Sequence, residues 1–208
     1  MGITPQQFEQ MASRLNRPKR RAEPALPTSA PMPPGITRGG ANGAVILGID
    51  PSLRGTGWGV LRLERSGPKA VAYDTIRCPA GWPRSQCLVR IAGVLRETIR
   101  LHAPDVCAIE ALFFAQNLQT AMLMGEARGV CLLAAAEAGI EIYEIAPRRM
   151  KQAVVGFGGA QKLAVARMVQ RQLGLAEVPE TDAADALALA LAHAQDTRRY
   201  SLAPSRRL

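Results

Sequence analysis

Nowhere in the 208 residues does an apolar run approach the roughly 20 needed to cross a bilayer. The segment after Met1 also lacks the hydrophobic core of an export signal. Together these absences predict a non-membrane, unexported chain located in the cytoplasm. Cysteine is scarce: Cys78, Cys87, Cys107 and Cys131 are widely spaced, form no CxxC pair and have only His102 and His193 to join them. That excludes zinc-site spacing and leaves reduced structural thiols as the expectation. No Ser–His–Asp or Cys–His arrangement can be placed along the chain. A dinucleotide loop is excluded too, because Gly55-Thr56-Gly57-Trp58-Gly59 lacks GxGxxG spacing and runs into a strand-like segment instead of a helix.

Excess acid is missing as well. The formal net charge is +9, which favours an acidic partner without identifying one. Residues 1–43 carry +4 and residues 196–208 carry +3, so the interval 44–195 keeps only +2. A local feature says more than the total. Between Glu144 and Glu177 there is no acid, whereas Arg148, Arg149, Lys151, Lys162, Arg167 and Arg171 supply six positive charges. Such a stretch suits either a phosphate-facing patch or a solvated helical face.

Pro33-Pro34-Gly35 and Gly39-Gly40 cannot sustain a helix or strand, and Arg17–Arg21 is a basic cluster. Residues 1–43 are therefore expected to be a disordered basic arm, and 196–208 a flexible basic tail. Between them, 44–195 has the patterning of one folded domain. Strand-like runs occupy Ala44–Asp50, Trp58–Leu63, Val71–Cys78, Val106–Leu112 and Glu141–Ile145, with Gly55, Gly57 and Gly59 expected to mark a turn into the second. Apolar residues Leu88, Ile91, Val94, Leu95 and Ile99 give Gln86–Leu101 helical spacing. Further helices are expected over 117–138, 148–155, 160–173 and 182–194. Three strands able to pair antiparallel, followed by strand–helix–strand units, predict an α/β sheet with helices packed against it.

Against that frame, four acids stand out. Asp50 ends AVILGID and Glu110 ends VCAIE, the carboxyl ends of strand-like runs, where open α/β sheets place ligands. Asp182 and Asp185 open a helix three residues apart and so share a face. Each has a plain structural reading: a turn residue before Pro51, an arginine partner for Glu110, and dipole complements behind the Thr181 cap. Jointly they point elsewhere. Like charges stay ionised together only with cations among them, and hard oxygen donors suit magnesium or manganese.

The segments carrying these acids also carry a resemblance. Ile46–Pro51 with Arg54–Val60, Ala108–Asn117, Gly125–Gly129, Lys151–Gly156 and Asp182–Ala188 follow one another in an order similar to that of the RuvC family of crossover-junction endodeoxyribonucleases. The likeness covers about 44–195. It implies an RNase H-like mixed sheet flanked by helices, and a homodimer making paired symmetric incisions in four-way Holliday junctions during recombination and repair. It implies Asp50, Glu110, Asp182 and Asp185 as the catalytic, metal-binding quartet, holding two Mg2+ ions per subunit that Mn2+ can replace. Hydrolysis would leave 5′-phosphate and 3′-hydroxyl ends. Phe113 matches the aromatic that family members insert into the junction. Arg149, Lys151 and Lys162 are the candidate DNA contacts of the basic stretch, the two lysines matching residues that touch the DNA backbone. RuvA and RuvB, the branch-migration complex, are implied partners. Helix 117–138, with Leu118, Met122, Gly125, Gly129 and Leu133, is either internal core or, as the family implies, dimer interface. Two departures stand beside these matches: Ser52-Leu53 where the family usually has Gly, and Gln116 where a close relative has Lys. A non-cutting junction scaffold and an RNase H-fold nuclease acting on RNA-containing substrates remain the alternatives.

Overall fold

The computed structural model describes residues 43–111, 118–198 and 206–208. Five long or medium strands form the body of a sheet: β1 (Val45–Asp50), β2 (Gly55–Glu64), β3 (Gly67–Arg77), β4 (Val106–Glu110) and β5 (Glu141–Ile145), with a short β6 (Arg206–Arg207) at one edge. The helices are α1 (Arg84–His102), α2 (Leu118–Glu137), α3 (Pro147–Val155), α4 (Lys162–Leu173) and α5 (Thr181–Arg198). Strand order is β3-β2-β1-β4-β5-β6. The first three strands form an antiparallel meander, and β1, β4 and β5 are parallel. The sheet is the mixed one expected.

Period-two alternation along β1 explains the two cores. Ile46 and Gly48 face α5, whereas Leu47 and Ile49 face α1 and α2, so both sides of a central strand are apolar. On the α1–α2 side, Leu47, Ile49, Ile91, Leu95, Ile109 and Cys131 pack together. On the other, Ile46, Leu61, Ile145, Met150, Val165 and Leu187 join α3, α4 and α5 to the sheet. Helix α5 is buried almost all round from Ala183 to Ala194, as its apolar composition on every face requires.

The glycines expected to mark a turn lie inside β2, and their role is different. A Cβ at Gly57 would stand 1.9 Å from the Asp182 carbonyl oxygen and one at Gly59 2.6 Å from Leu187, as one at Gly48 in the neighbouring β1 would stand 1.9 Å from the Ala186 carbonyl oxygen. Their bare backbones let α5 lie directly on the sheet. Strand β3 likewise begins at Gly67, four residues before the expected start at Val71. Its first half belongs to an exposed hairpin with little apolar signal.

The end of the chain also departs from expectation. Helix α5 continues to Arg198, Asp196 accepts two hydrogen bonds from Arg149, and β6 pairs antiparallel with β5. The Leu208 N–H donates to the Ile142 carbonyl. Within 196–208, expected as a basic tail, these residues therefore extend α5 and pair with the sheet edge. Backbone pairing at an open sheet edge needs no apolar side chain, so composition gave no warning of it. Residues 199–205, like 1–42, lie outside the described residues. All four cysteines are free and buried; burial pushes the Cys107 thiol up, and Cys131 up to about 12. Among the described residues, no helix is long and apolar enough to cross a membrane.

Candidate active site

Parallel pairing sets the first two acids side by side. Ile49 of β1 is in register with Ile109 of β4, so Asp50 and Glu110 leave the same edge of the sheet as neighbours. Seated on the glycines, α5 presents its first two turns to that edge. Its Asp185 is only 6% exposed, and Asp182 lies against Gly55, where an added Cβ would be 2.8 Å from its Oδ2. Behind Glu110, the buried Arg128 of α2 donates to the Glu110 main-chain carbonyl and pairs with the Glu144 carboxylate. The arginine thus fixes the backbone of the strand tip and leaves the Glu110 side chain to the acidic cluster.

Electrostatics bind the group together. Burial, reinforced by Glu110 and Asp185, raises the Asp50 carboxyl to about 9. Burial also raises Glu110 and Asp185, each further pushed by a neighbouring acid. Lys162, the first residue of α4, answers that charge. Its Nζ is 3.1 Å from Asp185 Oδ2 and 3.8 Å from Asp182 Oδ1. Burial works to lower the Lys162 ammonium, but Asp185, Asp50 and Asp182 outweigh it and hold it above its ordinary value. Lys151 of α3 is near enough to act on Glu110 and Asp185.

Among the described residues, no three His, Cys, Asp or Glu side chains are already close enough to cage a metal ion, and the Lys162 ammonium stands beside two of the acids. The donor set nonetheless fits a hard divalent cation. Three half-desolvated carboxyls held out of their ordinary range by burial and by each other gain more from such a cation than exposed acids would.

The four acids predicted from sequence therefore converge, with Lys162 and Lys151 beside them. Arg149 does not share that position. It is paired with Asp196 at 2.9 Å, and residues two apart on a helix point about 200° apart, away from Lys151. Phe113 and Gln116 lie outside the described residues. Of the Ser52-Leu53 departure, Leu53 is buried in the core and the Ser52 N–H donates to Thr56 Oγ1, so the turn closes without glycine. The sequence alone assigns no role to Arg128. Its signal was a lone arginine within the Ala-, Leu- and Met-rich helix. Arg54, also unassigned, donates to the carbonyls of Pro79 (2.6 Å) and Trp82 (3.1 Å) and stitches down the β3–α1 loop.

Comparison with known proteins gives this geometry a lineage. The sequence profile of the family described as "Crossover junction endodeoxyribonuclease RuvC" matches residues 46–193. The curated RuvC of Chloroflexus aggregans is 47% identical over 149 residues, covering 71% of this chain and 91% of that protein. The Rubrobacter xylanophilus RuvC is 46% identical over 151 residues, 72% of this chain and 84% of its own length. Among solved structures, Thermus thermophilus RuvC in complex with a Holliday junction substrate superposes with a TM-score of 0.72 at 34% identity, covering 79% of this chain and 99% of that one. The yeast mitochondrial Holliday junction resolvase Ydc2, at 10% identity and a TM-score of 0.53, shares the fold. By profile, by identity and by superposition, the chain belongs to the RuvC family of crossover junction endodeoxyribonucleases.

Proposed function

We propose that this chain is a Holliday junction resolvase, acting as a homodimer that makes paired, symmetric incisions in four-way DNA junctions. The observation that carries the reading is the convergence of Asp50, Glu110, Asp182 and Asp185 from three distant chain segments around one lysine. Those carboxylates would hold two magnesium ions, with manganese able to replace them. When bound, such ions supply Lewis acidity at the attacking and leaving oxygens of a phosphodiester. The chain's own residues do the rest. Burial of Asp50, Glu110 and Asp185 limits screening by bulk water. Asp185 and Asp182 hold Lys162 at the edge where a scissile phosphate would lie, and its ammonium stabilises charge developing there. Lys151 adds positive potential along the same approach. Phe113 is proposed to stack on bases unpaired at the junction, a contact worth about 1–3 kcal/mol. Arg149, paired with Asp196, is proposed with these lysines as a further DNA contact of the basic stretch. The branch-migration proteins RuvA and RuvB are the proposed partners.

Cutting of a synthetic four-way junction, with and without magnesium and with both cut sites mapped, tests the reading. Symmetric ligatable nicks that need the metal are expected. Asp182→Asn should bind the junction nearly as the parent does and cut it not at all; binding without nicking by the parent would favour a scaffold. Strong cleavage of an RNA–DNA hybrid beside an intact junction would favour the RNA-directed alternative.

A further inference from the structure

Next to the carboxylates the surface opens into a groove of about 700 Å³, lined among others by Gly55, Thr75, Arg77, Glu180, Thr181 and Asp182. One wall is the paired ends of β2 and β3, where Gly55 is in register with Arg77. The other is the start of α5. Two arginines border it, and they differ in freedom. Arg54 is spent on the Pro79 and Trp82 carbonyls. Arg77 is paired with Glu180, and the side chains are 63% and 57% exposed. A pair that open to water contributes little, so little is lost when the guanidinium changes partner. Arg77 also feels the charge of Asp182, which puts it within electrostatic reach of the metal-binding acids.

A groove that starts at a catalytic carboxylate and carries one exchangeable guanidinium suits a phosphodiester backbone. A phosphate accepts two parallel N–H bonds from an arginine fork, as a carboxylate does, and competes for it directly. Gly55 keeps the floor beside Asp182 clear, since any side chain there would press on that carboxylate. We infer that this groove is the track of the cleaved DNA strand beside the scissile bond. Arg77 leaves Glu180 for a backbone phosphate of that strand, and Glu180 is a built-in competitor that holds the guanidinium until DNA arrives. This rests on the resolvase reading and adds a specific strand contact to it.

A purely structural latch between β3 and α5 makes a different prediction. Loss of either partner of a latch acts alike, lowering stability and leaving DNA affinity unchanged. Loss of a ligand and loss of its competitor act oppositely. Junction binding by the full-length protein, followed by fluorescence anisotropy in chelator over a salt series, separates the two. Arg77→Ala is expected to weaken binding roughly tenfold and to reduce the slope of log affinity against log salt by about 1. Glu180→Gln should tighten binding about two- to fivefold, and the double variant should behave like Arg77→Ala. Arg77→Lys should keep the slope and lose part of the affinity. Single methylphosphonates walked across the cut site then locate the contact. One phosphate near the scissile bond should cost the parent protein affinity and cost Arg77→Ala nothing more. Equal or same-direction effects of Arg77→Ala and Glu180→Gln, in a protein that binds and cuts junctions, would overturn the inference. A parent protein that fails to bind junctions would overturn the resolvase reading first and this inference with it.

Discussion

In a folded protein without bound metal, the Asp50 carboxyl keeps its proton up to about pH 9, whereas the unfolded chain releases it near 3.8. Over that window the folded state binds more protons than the unfolded one, so stability falls as pH rises. Glu110 and Asp185 shift in the same direction and add to the slope. Melting curves in chelator should therefore fall in Tm between pH 5 and pH 9. Added magnesium should raise Tm most at the alkaline end, where the carboxylates are free of competing protons, and Asp50→Asn should flatten the chelated profile. A chelated Tm that climbs across that range would remove Asp50 from the buried cluster. At this scale the sequence was informative because acids closing apolar runs are conspicuous. The placement of Lys162 was not legible from spacing, because it depends on how α4 docks. Neither was the Arg149–Asp196 pair, whose members sit 47 residues apart.

Elements hold those residues in place, and two of their seats make measurable predictions. The closeness of α5 to the sheet depends on Gly57, where a Cβ would meet main-chain atoms of Asp182 and Ala183 that cannot move aside. Gly57→Ala should cost at least the 1–3 kcal/mol typical of overpacking and displace Asp182. Cleavage should then suffer more than junction binding, as chemical denaturation and binding titrations can show. Arg128, 5% exposed, joins α2 to β4 and β5. Its replacement by methionine strands the Glu144 carboxylate and should destabilise the fold by about 3–5 kcal/mol; a change under 1 kcal/mol would show the pair to be dispensable. Apolar periodicity revealed β1, β4, β5 and most helices, since their burial is written into their own residues. The start of β2 was misjudged because a glycine inside a strand looks like a turn when its reason lies in a helix some 130 residues later. Strand β6 was missed because the bonds that form it are main-chain ones.

At the level of the whole molecule, α2 turns two different faces outward and inward. Ala127, Cys131 and Ala135 are buried in the core, while Leu118, Met122 and Leu133 are exposed at 78%, 57% and 51%. Gly125 and Gly129 face open space. Such an apolar strip on a single copy suits the proposed second copy, whose helix can approach closely over the glycines. Met122→Glu should sediment as a monomer and lose paired incision, retaining at most isolated nicks; a dimer of unchanged strength would move the seam elsewhere. The family resemblance was needed here, because a strip of small and apolar residues reads equally well as interior.

Arg128 gives that helix a further consequence. The guanidinium that grips the Glu110 carbonyl grows from the same cylinder whose outer surface would meet the second copy. Were the proposed second copy to shift that cylinder, the movement would pass through one rigid planar group to the peptide of Glu110. Under the proposed dimer, assembly and chemistry would be geared to each other, and a protomer on its own is expected to aim its scissors less steadily than one of a pair.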